Sequence, residues 1–510
     1  MKLATGWCVA LLGMEGHLVR VEADLAPGVP GLSITGMPDT SLNQARDRLR
    51  AAVVNSGHRW PTTKRITVGL SPASLPKRGS GFDLAMAAAL LAADGVVPAD
   101  EVAGCVLLGE LGLDGSVRAV SGVLPAVLAL EGKGFDVLVP ADNLAEARLV
   151  RAVRSIGVVS LKHLIAILRH EQCEVVEPAP RGVIGDSGMP RDYRDVAGQP
   201  VGRLACEVAA AGGHNLLMTG PPGCGKTLLA ERLPGILPDL AEDEALEVTA
   251  IHSVAGVLPP DVLVSRPPFQ APHHSASAPS ILGGGSGLAK PGAASLAHRG
   301  VLFLDEAPEM QRHVLDLLRQ PLESGHVTVN RVLGTTTYPA QFALVLAANP
   351  CPCAKKESDC SCSPERRRSY LARLSGPLLD RIDIKVGLSA ITRAEVMADR
   401  DGDATADVAA RVLAARAAAG RRLAGTPWRT NADVPPTLLL QRWPIRREHL
   451  ELAGRAMDRG LLTARGFGRV QRLAWTLADL SAVDEPGSAE VDLALSLRLG
   501  DLWLQRRSAA

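Results

Sequence analysis

The sequence predicts an α/β protein in three parts: an α/β region, a second α/β region built on buried strands, and a helical end. Three observations carry that class. Short apolar strand patterns alternate with helical stretches through the first two regions. A glycine-rich loop lies between one such strand and a helix. Beyond residue 400 the chain is helical and rich in arginine, as in "ADVAARVLAARAAAGRRL" and "GRVQRLAWTLADLSAV".

The elements follow in order. In residues 1–172, "LVRVEADL", "LSITG", "RITVGLSP", "VLLGELGL" and "DVLVP" read as strands between Gly/Pro turns. "SLNQARDRLRAAVVNSG" and "FDLAMAAALLAADG" read as helices between them. Residues 173–192 hold "EVVEPAPRGVIGDSGMPRD", rich in Pro and Gly and without periodicity, and read as a linker. In residues 193–395, "HNLLMTG" reads as a strand, "KTLLAERLPGIL" as the helix after a Gly-rich loop, and "GVLFLDE" and "QFALVLAANP" as two more buried strands. Residues 396–510 form the helical end.

Bulk properties narrow the function classes. The chain has 510 residues, enough for two to four domains and a sizeable core. Hydrophobic residues make up 46%, a globular composition. Formal net charge is +1, so gross charge argues for neither a nucleic-acid nor a membrane partner, and any such contact must be a local patch. The opening "MKLATGWCVALLGMEGHLV" loosely mimics a secretory leader. Glu15 and His17 interrupt it early, and no small-x-small cleavage site follows. No apolar run reaches membrane-spanning length. Five of the nine cysteines, Cys8, Cys105, Cys173, Cys206 and Cys224, are scattered. That is not a secreted disulfide framework, and it points to a reducing, cytoplasmic location.

"GPPGCGKT" matches G-x-x-x-x-G-K-[ST] in full, between a strand and a helix. The nucleotide-binding set is Gly220, Pro221, Pro222, Gly223, Cys224, Gly225, Lys226, Thr227 and the next helical residue, Leu228. Backbone N–H groups of such a loop wrap phosphates, and the helix N-terminus adds partial positive charge. The expected ligands are ATP and Mg²⁺. Lys226 should reach the β/γ-phosphates and Thr227 should hold the magnesium. Cys224 occupies a variable loop position with no separate role. "VLFLDE" ends a buried strand on two carboxylates at the edge where ligands bind in such sheets. Asp305 should complete the magnesium shell, and Glu306 should orient and polarise the attacking water.

The other four cysteines crowd into "CPCAKKESDCSC". Cys351, Cys353, Cys360 and Cys362 form two C-x-C pairs with six residues between them. Four thiolates in one short polar loop suit a tetrahedral structural Zn²⁺; unliganded thiols and an iron–sulfur cluster are the alternatives. Lys355, Lys356 and Arg366–Arg368 could offset part of the thiolate charge. No open ligand position or neighbouring base suggests catalytic zinc.

"RDVAGQPVGRLACEVAAAGGHNLLMTGPPGCGKT", "QAPHHSASAPSILGGG", "PGAASLAHRGVLFLDEAPEM" and "SGPLLDRIDIKV" resemble the magnesium-chelatase-like AAA+ ATPases. Together with "GLSITGMPDTSLNQARDRLRAAVVNSG" and "LSPASLPKRGSGFDLAMA", they are similar to the ComM/YifB family over nearly the whole chain. The resemblance implies an AAA+ P-loop core, an N-terminal Lon-protease-like (ribosomal S5 domain 2-like) domain and a C-terminal helical lid. It also implies a ring, expected to be a homo-hexamer, with each nucleotide between subunits. Arg381 matches the arginine that a neighbour contributes, with Arg373 in reserve. Asn349 matches the polar residue that helps position the water. The lid arginine that reads the γ-phosphate falls in "LTARGFGRVQR", with Arg465 the first choice and Arg469 the second. The "FQAPHHSASAPS" and "GGGSGLAKPGAAS" segments resemble an insert whose Gly-rich tip enters the ring pore. "ESGHVTVNRVLGTTTYPAQF" reads as a hairpin, and the family projects a similar one into the channel. Lys290 and Arg331 are the candidate DNA-phosphate contacts. Similar paired cysteines occur at this place in the family.

Alignment with the true proteases of the Lon fold puts Gly81, beside Ser80, where the nucleophile belongs, and Leu124 where the lysine base belongs. A Ser–Lys dyad needs both groups within hydrogen-bond reach, so peptidase chemistry is disfavoured. The function the resemblance implies is an ATP-driven DNA motor on single-stranded or branched DNA. Such a motor would be a branch-migration helicase of recombination or natural transformation, with no membrane partner. A chelatase-type remodelling ATPase for porphyrin metallation is the alternative, and an ATP-dependent protease the least favoured.

Overall fold

The first strand, β1 (Lys2–Leu12), returns on β2 (Glu15–Pro27) through a two-residue turn. Its first residue, Gly13, has a φ of +66°, which a turn of this length favours in glycine. The stretch that mimics a leader is therefore a long antiparallel hairpin. In this computed structural model of the protein, residues 2–36, 41–77, 79–178, 191–257, 263–285, 289–331, 334–355, 360–393 and 402–500 are described.

β3 (Gly31–Thr35), β4 (Lys64–Ser71), β5 (Cys105–Leu107), the small hairpin β6 (Glu110–Leu111) and β7 (Val117–Arg118), β8 (Asp136–Pro140) and β9 (Ser155–Val158) follow. Seven of these nine strands form one mixed sheet in the order β3-β4-β2-β1-β5-β8-β9. β2 is buried at Val19, Val21, Ala23 and Leu25, the period of two that turns one face inward. Onto the sheet packs the helix Asp83–Asp94, buried at every residue from Asp83 to Ala93. Its alanines let the helix lie close to β1 and β2. Asp83, at the first turn, is buried with Arg48: Nε donates to Oδ2 at 2.6 Å and Nη2 to Oδ1 at 3.2 Å. Leu111 N adds a third bond at 3.3 Å. Burial pushes the Asp83 carboxyl up, and Arg48 opposes it.

The second sheet holds β10 (Leu216–Thr219), β11 (Phe269–Gln270), β14 (Val301–Leu304), β17 (Ala343–Ala348) and β18 (Ile384–Gly387). All pairings are parallel, in the order β11-β14-β17-β10-β18. Between them lie two small antiparallel pairs, β12 (Gly283–Gly284) with β13 (Lys290–Pro291), and β15 (His326–Arg331) with β16 (Gly334–Pro339). Both faces of the central strands are covered, which is why β10, β14 and β17 read as apolar runs. Val301, Phe303, Val345 and Ala347 join one core; Leu302, Leu304, Leu344 and Leu346 join the core on the other face.

The helical end comprises Thr405–Arg422, Pro436–Arg442, Glu451–Asp458, Ala464–Leu480 and Ser488–Leu499. Val470, Leu473, Trp475 and Leu495 share the first of those cores with the sheet. The N-terminal body is fastened to the second body through the helix Glu242–Ala255. Ser253 Oγ accepts from Gly122 N at 3.0 Å and donates to the buried Glu146 carboxylate. Glu146 also accepts from Leu124 N at 2.9 Å and Asn143 Nδ2 at 3.1 Å. Among the described residues no helix is long and apolar enough to cross a membrane.

Arg48→Met leaves Asp83 buried without its cation. The expected cost is roughly 3–5 kcal/mol, read as a lower denaturant midpoint and faster amide exchange in β1 and β2. Adding Asp83→Asn should recover part of the loss. An unchanged midpoint in the single variant would show that the pair does not hold the helix on the sheet.

Candidate active site

The glycine-rich loop leaves the carboxyl end of β10. Gly220 N donates to Ala348 O at 3.1 Å, tying the loop to the end of β17. A Cβ on Gly220 would lie 2.6 Å from Leu388 O and 2.7 Å from Cys224 Sγ, so only glycine fits. Gly225, with φ +92°, turns the chain into the helix Lys226–Ile236. Lys226 is buried. Its Nζ donates to Gly220 O at 2.7 Å, Pro221 O at 3.0 Å and Asn349 Oδ1 at 3.1 Å. Asn349 follows the last residue of β17, so it and the loop lysine touch directly. Cys224 is buried beneath the loop, 3.9 Å from Nζ.

Asp305 and Glu306 follow β14. Asp305 Oδ2 accepts from Thr227 Oγ1 at 2.8 Å, and Oδ1 accepts from Glu306 N at 2.8 Å. Thr227 and Asp305 thus offer a hydroxyl and a carboxylate side by side, the hard oxygen donors that suit magnesium. Glu306 has φ +48° and ψ +40°, the left-handed region, which is uncommon for a residue with a side chain. Such strain costs on the order of 1–3 kcal/mol and clusters at functional sites. The Glu306 carboxylate pairs with His274, Oε2 to Nδ1 3.2 Å.

The arginines divide between two places. Arg373 stays near the carboxylate edge of its own chain, where Nη1 donates to Pro308 O at 3.1 Å and Glu309 Oε2 at 3.2 Å. Arg381 sits at the opposite edge. Its backbone carbonyl accepts from Asn215 Nδ2 at 2.9 Å, just before β10 begins. Its guanidinium bonds Pro377 O at 2.7 Å and pairs with Glu323. Burial, then Arg319, Arg469 and Arg465, lowers its pKa, so four guanidinium groups crowd together. Arg469 pairs with Asp383, whose Oδ2 accepts from Asn215 N at 3.1 Å. Burial pushes Asp383 up, but Arg469 and His214 more than offset it and leave it well below the ordinary carboxylate range. Arg465 is exposed. The structure therefore brings Arg381, Arg465 and Arg469 together and keeps all three from their own Lys226. Arg381 and Arg469 border a cavity of about 630 Å³ shared by the sheet's amino edge and the helical end.

The four sulfurs of Cys351, Cys353, Cys360 and Cys362 lie within 4.8 Å of one another. Sulfurs around a tetrahedral zinc, with bonds near 2.3 Å, stand about 3.8 Å apart, so the cluster fits that ion. The measured approaches of 3.0, 3.4 and 3.5 Å are too long for disulfides. Burial pushes Cys351 up to about 12. The Cys362 backbone N–H, with Cys351, holds Cys360 down at about 6, a ready thiolate at neutral pH. Cys351 lies two residues beyond Asn349. Lys356 falls outside the described residues.

Lys290 and Arg331 are both exposed and share one strip. Lys290 pairs with Gly284 in the insert, and a Cβ on Gly284 would meet Arg331 Nη2 at 2.8 Å. The Tyr338 hydroxyl on β16 donates to Ala289 O, joining hairpin to insert. The tip residues 286–288 and the hairpin turn 332–333 lie outside the described residues.

In the N-terminal body, the Ser80 hydroxyl donates to Glu110, and Leu124 is wholly buried. The fully buried Lys77 donates to Gly36 O at 3.2 Å, Leu75 O at 3.1 Å and Pro72 O. No amine meets the Ser80 hydroxyl among these bonds.

Sequence reasoning passed over His274, Asp383, Arg319 and Glu323. "APHH" stood in a quoted segment, but nothing in its spacing pointed at Glu306. Asp383 ends "LLDRID" without a visible partner, since His214, Asn215 and Arg469 are distant in sequence.

Comparison with known proteins adds three family models. "Magnesium chelatase, subunit ChlI" matches residues 192–396, "Subunit ChlI of Mg-chelatase" residues 21–143, and "Magnesium chelatase, subunit ChlI C-terminal" residues 402–498. An uncharacterized protein of Mycobacterium tuberculosis is 49% identical over 501 residues, 98% of this chain and 99% of its own. The uncharacterized protein YifB of Escherichia coli is 38% identical over 510 residues, 99% and 98% of the two chains. The competence protein ComM of Haemophilus influenzae is 36% identical over 515 residues, covering 100% of both.

Gly220→Ala should push the loop off Leu388 and Cys224 and weaken binding of a fluorescent ATP analogue about tenfold or more, roughly 1.4 kcal/mol. Titration against the unaltered protein measures it, and equal affinity would refute the close-approach argument.

Proposed function

This chain belongs to the ComM/YifB family of magnesium-chelatase-like AAA+ ATPases, and from that premise we propose that it is an ATP-hydrolysing, ring-forming motor on single-stranded or branched DNA. The observation that carries the reading is the separation of the two half-sites. Lys226, Thr227, Asp305, Glu306 and Asn349 meet at one edge of the parallel sheet. Arg381 stands at the other edge, beside Arg319, Arg465 and Arg469. Four guanidinium groups crowded around few carboxylates suit a polyanion better than they suit each other. A triphosphate held by a neighbouring copy would be that polyanion.

In this reading Lys226 takes the β/γ-phosphates. Thr227 and Asp305 would hold Mg²⁺, which neutralises charge on the transferring phosphoryl oxygens. Glu306 orients and polarises the attacking water, and Asn349 keeps that water and Lys226 in register. Arg381 of the adjoining copy offsets transition-state charge, a role worth roughly 10³–10⁵ in rate where an arginine finger acts. Arg465, or Arg469 once freed from Asp383, reads the same γ-phosphate from the lid. A hexamer is the expected ring, in a cytoplasmic setting. The four cysteines would hold a Zn²⁺ that staples a polar loop with little to bury.

DNA is proposed as the track on the strip formed by Lys290 and Arg331, and by the name of the competence protein ComM. Branch migration in recombination or transformation is the specific activity that follows. The porphyrin-metallation alternative rests on the names of the family models. A protease is disfavoured by the Ser80–Glu110 bond and the buried Leu124.

Lys226→Ala and Arg381→Ala should each abolish hydrolysis alone, while a mixture of the two should regain a measurable fraction. In the mixture an intact loop can face an intact arginine. A mixture as inactive as its parts would remove the shared-site reading. The unaltered protein should move a three-way DNA junction only with ATP, and Glu306→Gln should bind ATP yet hydrolyse it about 10²–10⁴ times more slowly. Stimulation of ATPase by porphyrin-metallation partners and not by single-stranded DNA would favour the alternative. Elemental analysis should find one zinc per chain, lost in Cys351→Ser.

A further inference from the structure

Asn215 is the residue before β10, and its hydrogen bonds reach both flanking strands. Its backbone carbonyl accepts from Asp383 N and Ile384 N, each at 3.0 Å. Its backbone N–H donates to Asp383 Oδ2 at 3.1 Å. The side-chain amide works in both directions. Oδ1 accepts from Leu344 N of β17 at 2.8 Å, and Nδ2 donates to Arg381 O at 2.9 Å. β17 and β18 lie on the two sides of β10, and strand pairing with each begins at Leu216. One amide therefore extends the sheet by a residue at its amino edge.

The arrangement bears most on Arg381. Its carbonyl is fixed by Asn215, and its N–H donates to Leu378 O at 2.9 Å. Its guanidinium is held by Pro377 O and the Glu323 carboxylate. Those are the contacts it must exchange for phosphate oxygens if it is to meet a neighbour's triphosphate. During that exchange the main chain is the fixed end of a long side chain. Asn215 also reaches the second arginine of this edge, since the Asp383 carboxylate that accepts from its N–H pairs with Arg469. The preceding residue, His214, is buried, with Nε2 2.8 Å from Thr476 Oγ1 of the helix Ala464–Leu480. Arg381 and Arg469 are thus referred to one strand end. The glycine-rich loop leaves the other end of β10, beyond the reach of the Asn215 amide.

We propose that Asn215 is a positioning residue for the arginine that this chain presents to the next copy. Its amide sets where the Arg381 backbone stands at the seam. It takes no part in the nucleotide site of its own chain, and it touches neither ATP nor the reacting atoms. A misplacement of about 1 Å originating far from the chemistry can cost on the order of 10²-fold in rate. This role rests on the shared-site reading given above and adds a direction to it. Loss of the Asn215 amide damages the site that receives Arg381 and spares the site that follows β10.

The test uses the full-length protein with Asn215→Asp and Asn215→Ala. Asn215→Asp keeps the shape and the acceptor for Leu344 N but removes the donor to Arg381 O; Asn215→Ala removes both. Each should lower kcat for ATP about 10- to 100-fold, with affinity for a fluorescent ATP analogue unchanged. Mixtures of variants then locate the defect. Mixed with Lys226→Ala, which supplies an intact Arg381, either Asn215 variant should recover hydrolysis as far as Arg381→Ala does in the same mixture. Mixed with Arg381→Ala it should recover none, because neither copy presents a well-placed arginine. A residue that merely stiffens β10 would disturb its own loop, weaken binding of the analogue and give the reverse pattern. Recovery with Arg381→Ala overturns the proposal, as does an unchanged kcat in both variants. Failure to recover with Lys226→Ala, while Lys226→Ala and Arg381→Ala still recover together, overturns it as well. If that control pair does not recover, the shared-site reading falls and the role of Asn215 falls with it.

Discussion

The hydrogen bond between Thr227 and Asp305 spans two strand spacings, because β17 lies between β10 and β14. It exists only because all five strands of that sheet run parallel, so that each carboxyl end opens on the same edge. Three adjacent strands then supply a hydroxyl and an ammonium, a carboxylate pair, and an amide to one small volume. The same constraint assigns everything else. Whatever precedes a strand must fall at the far edge, and Arg381 precedes β18 by the two residues that also hold Asp383. At about 3.3 Å per strand residue, the length of β10 puts roughly 16 Å between Asn215 and the glycine-rich loop. No side-chain rotation lets Arg381 span that distance to its own Lys226. Sheet direction alone therefore keeps Arg381 away from the glycine-rich loop of its own chain.

Polar interactions at the two edges differ in kind. At the carboxyl edge the charges are few and individually bonded, Lys226 by three oxygens and Asp305 by two donors. At the amino edge the guanidinium groups outnumber their acids, and burial with mutual repulsion lowers the Arg381 pKa. The Arg381–Glu323 pair joins a mostly buried guanidinium to a carboxylate that is two-thirds exposed. Asp383 is the opposite case. Buried, and bonded by Arg469 and the Asn215 N–H, it anchors the helical end to the sheet.

The thiol loop has little apolar surface to bury, whereas the N-terminal body has a hydrophobic core and polar bonds at its edges. "CPCAKKESDCSC" has almost no apolar side chains, yet it begins two residues past Asn349, where small displacements would be felt by Lys226. A cation held across the four sulfurs would restrict that loop without needing buried area. In the N-terminal body Ser80 faces Glu110, Lys77 is satisfied by three carbonyls, and the Leu124 N–H bonds Glu146. Glu146 in turn receives Ser253 from the helix Glu242–Ala255, so Leu124 and Glu146 lie at the seam between two bodies.

Local patterns carried much of this in one dimension. The glycine-rich loop, the strand ending in Asp305 and Glu306, and the two C-x-C pairs were legible because each depends on residues a few positions apart. The three central strands of the parallel sheet, β10, β14 and β17, were legible because burial on both faces leaves an apolar run; the edge strands β11 and β18, short and partly polar, were not. β1 was not: its residues pass equally for a leader, and only pairing with β2 makes them a strand. Lys290 and Arg331 were named separately, but their common strip needs the insert folded against the hairpin. The partners His274–Glu306, Arg469–Asp383 and Arg381–Glu323 join segments 32, 86 and 58 positions apart, too far for spacing to announce them. What the sequence by itself determined was the chemistry available and the strand each group would end. Which groups face one another, and which arginine is barred from its own phosphate site, only the tertiary structure decided, because those relations depend on strand order and direction.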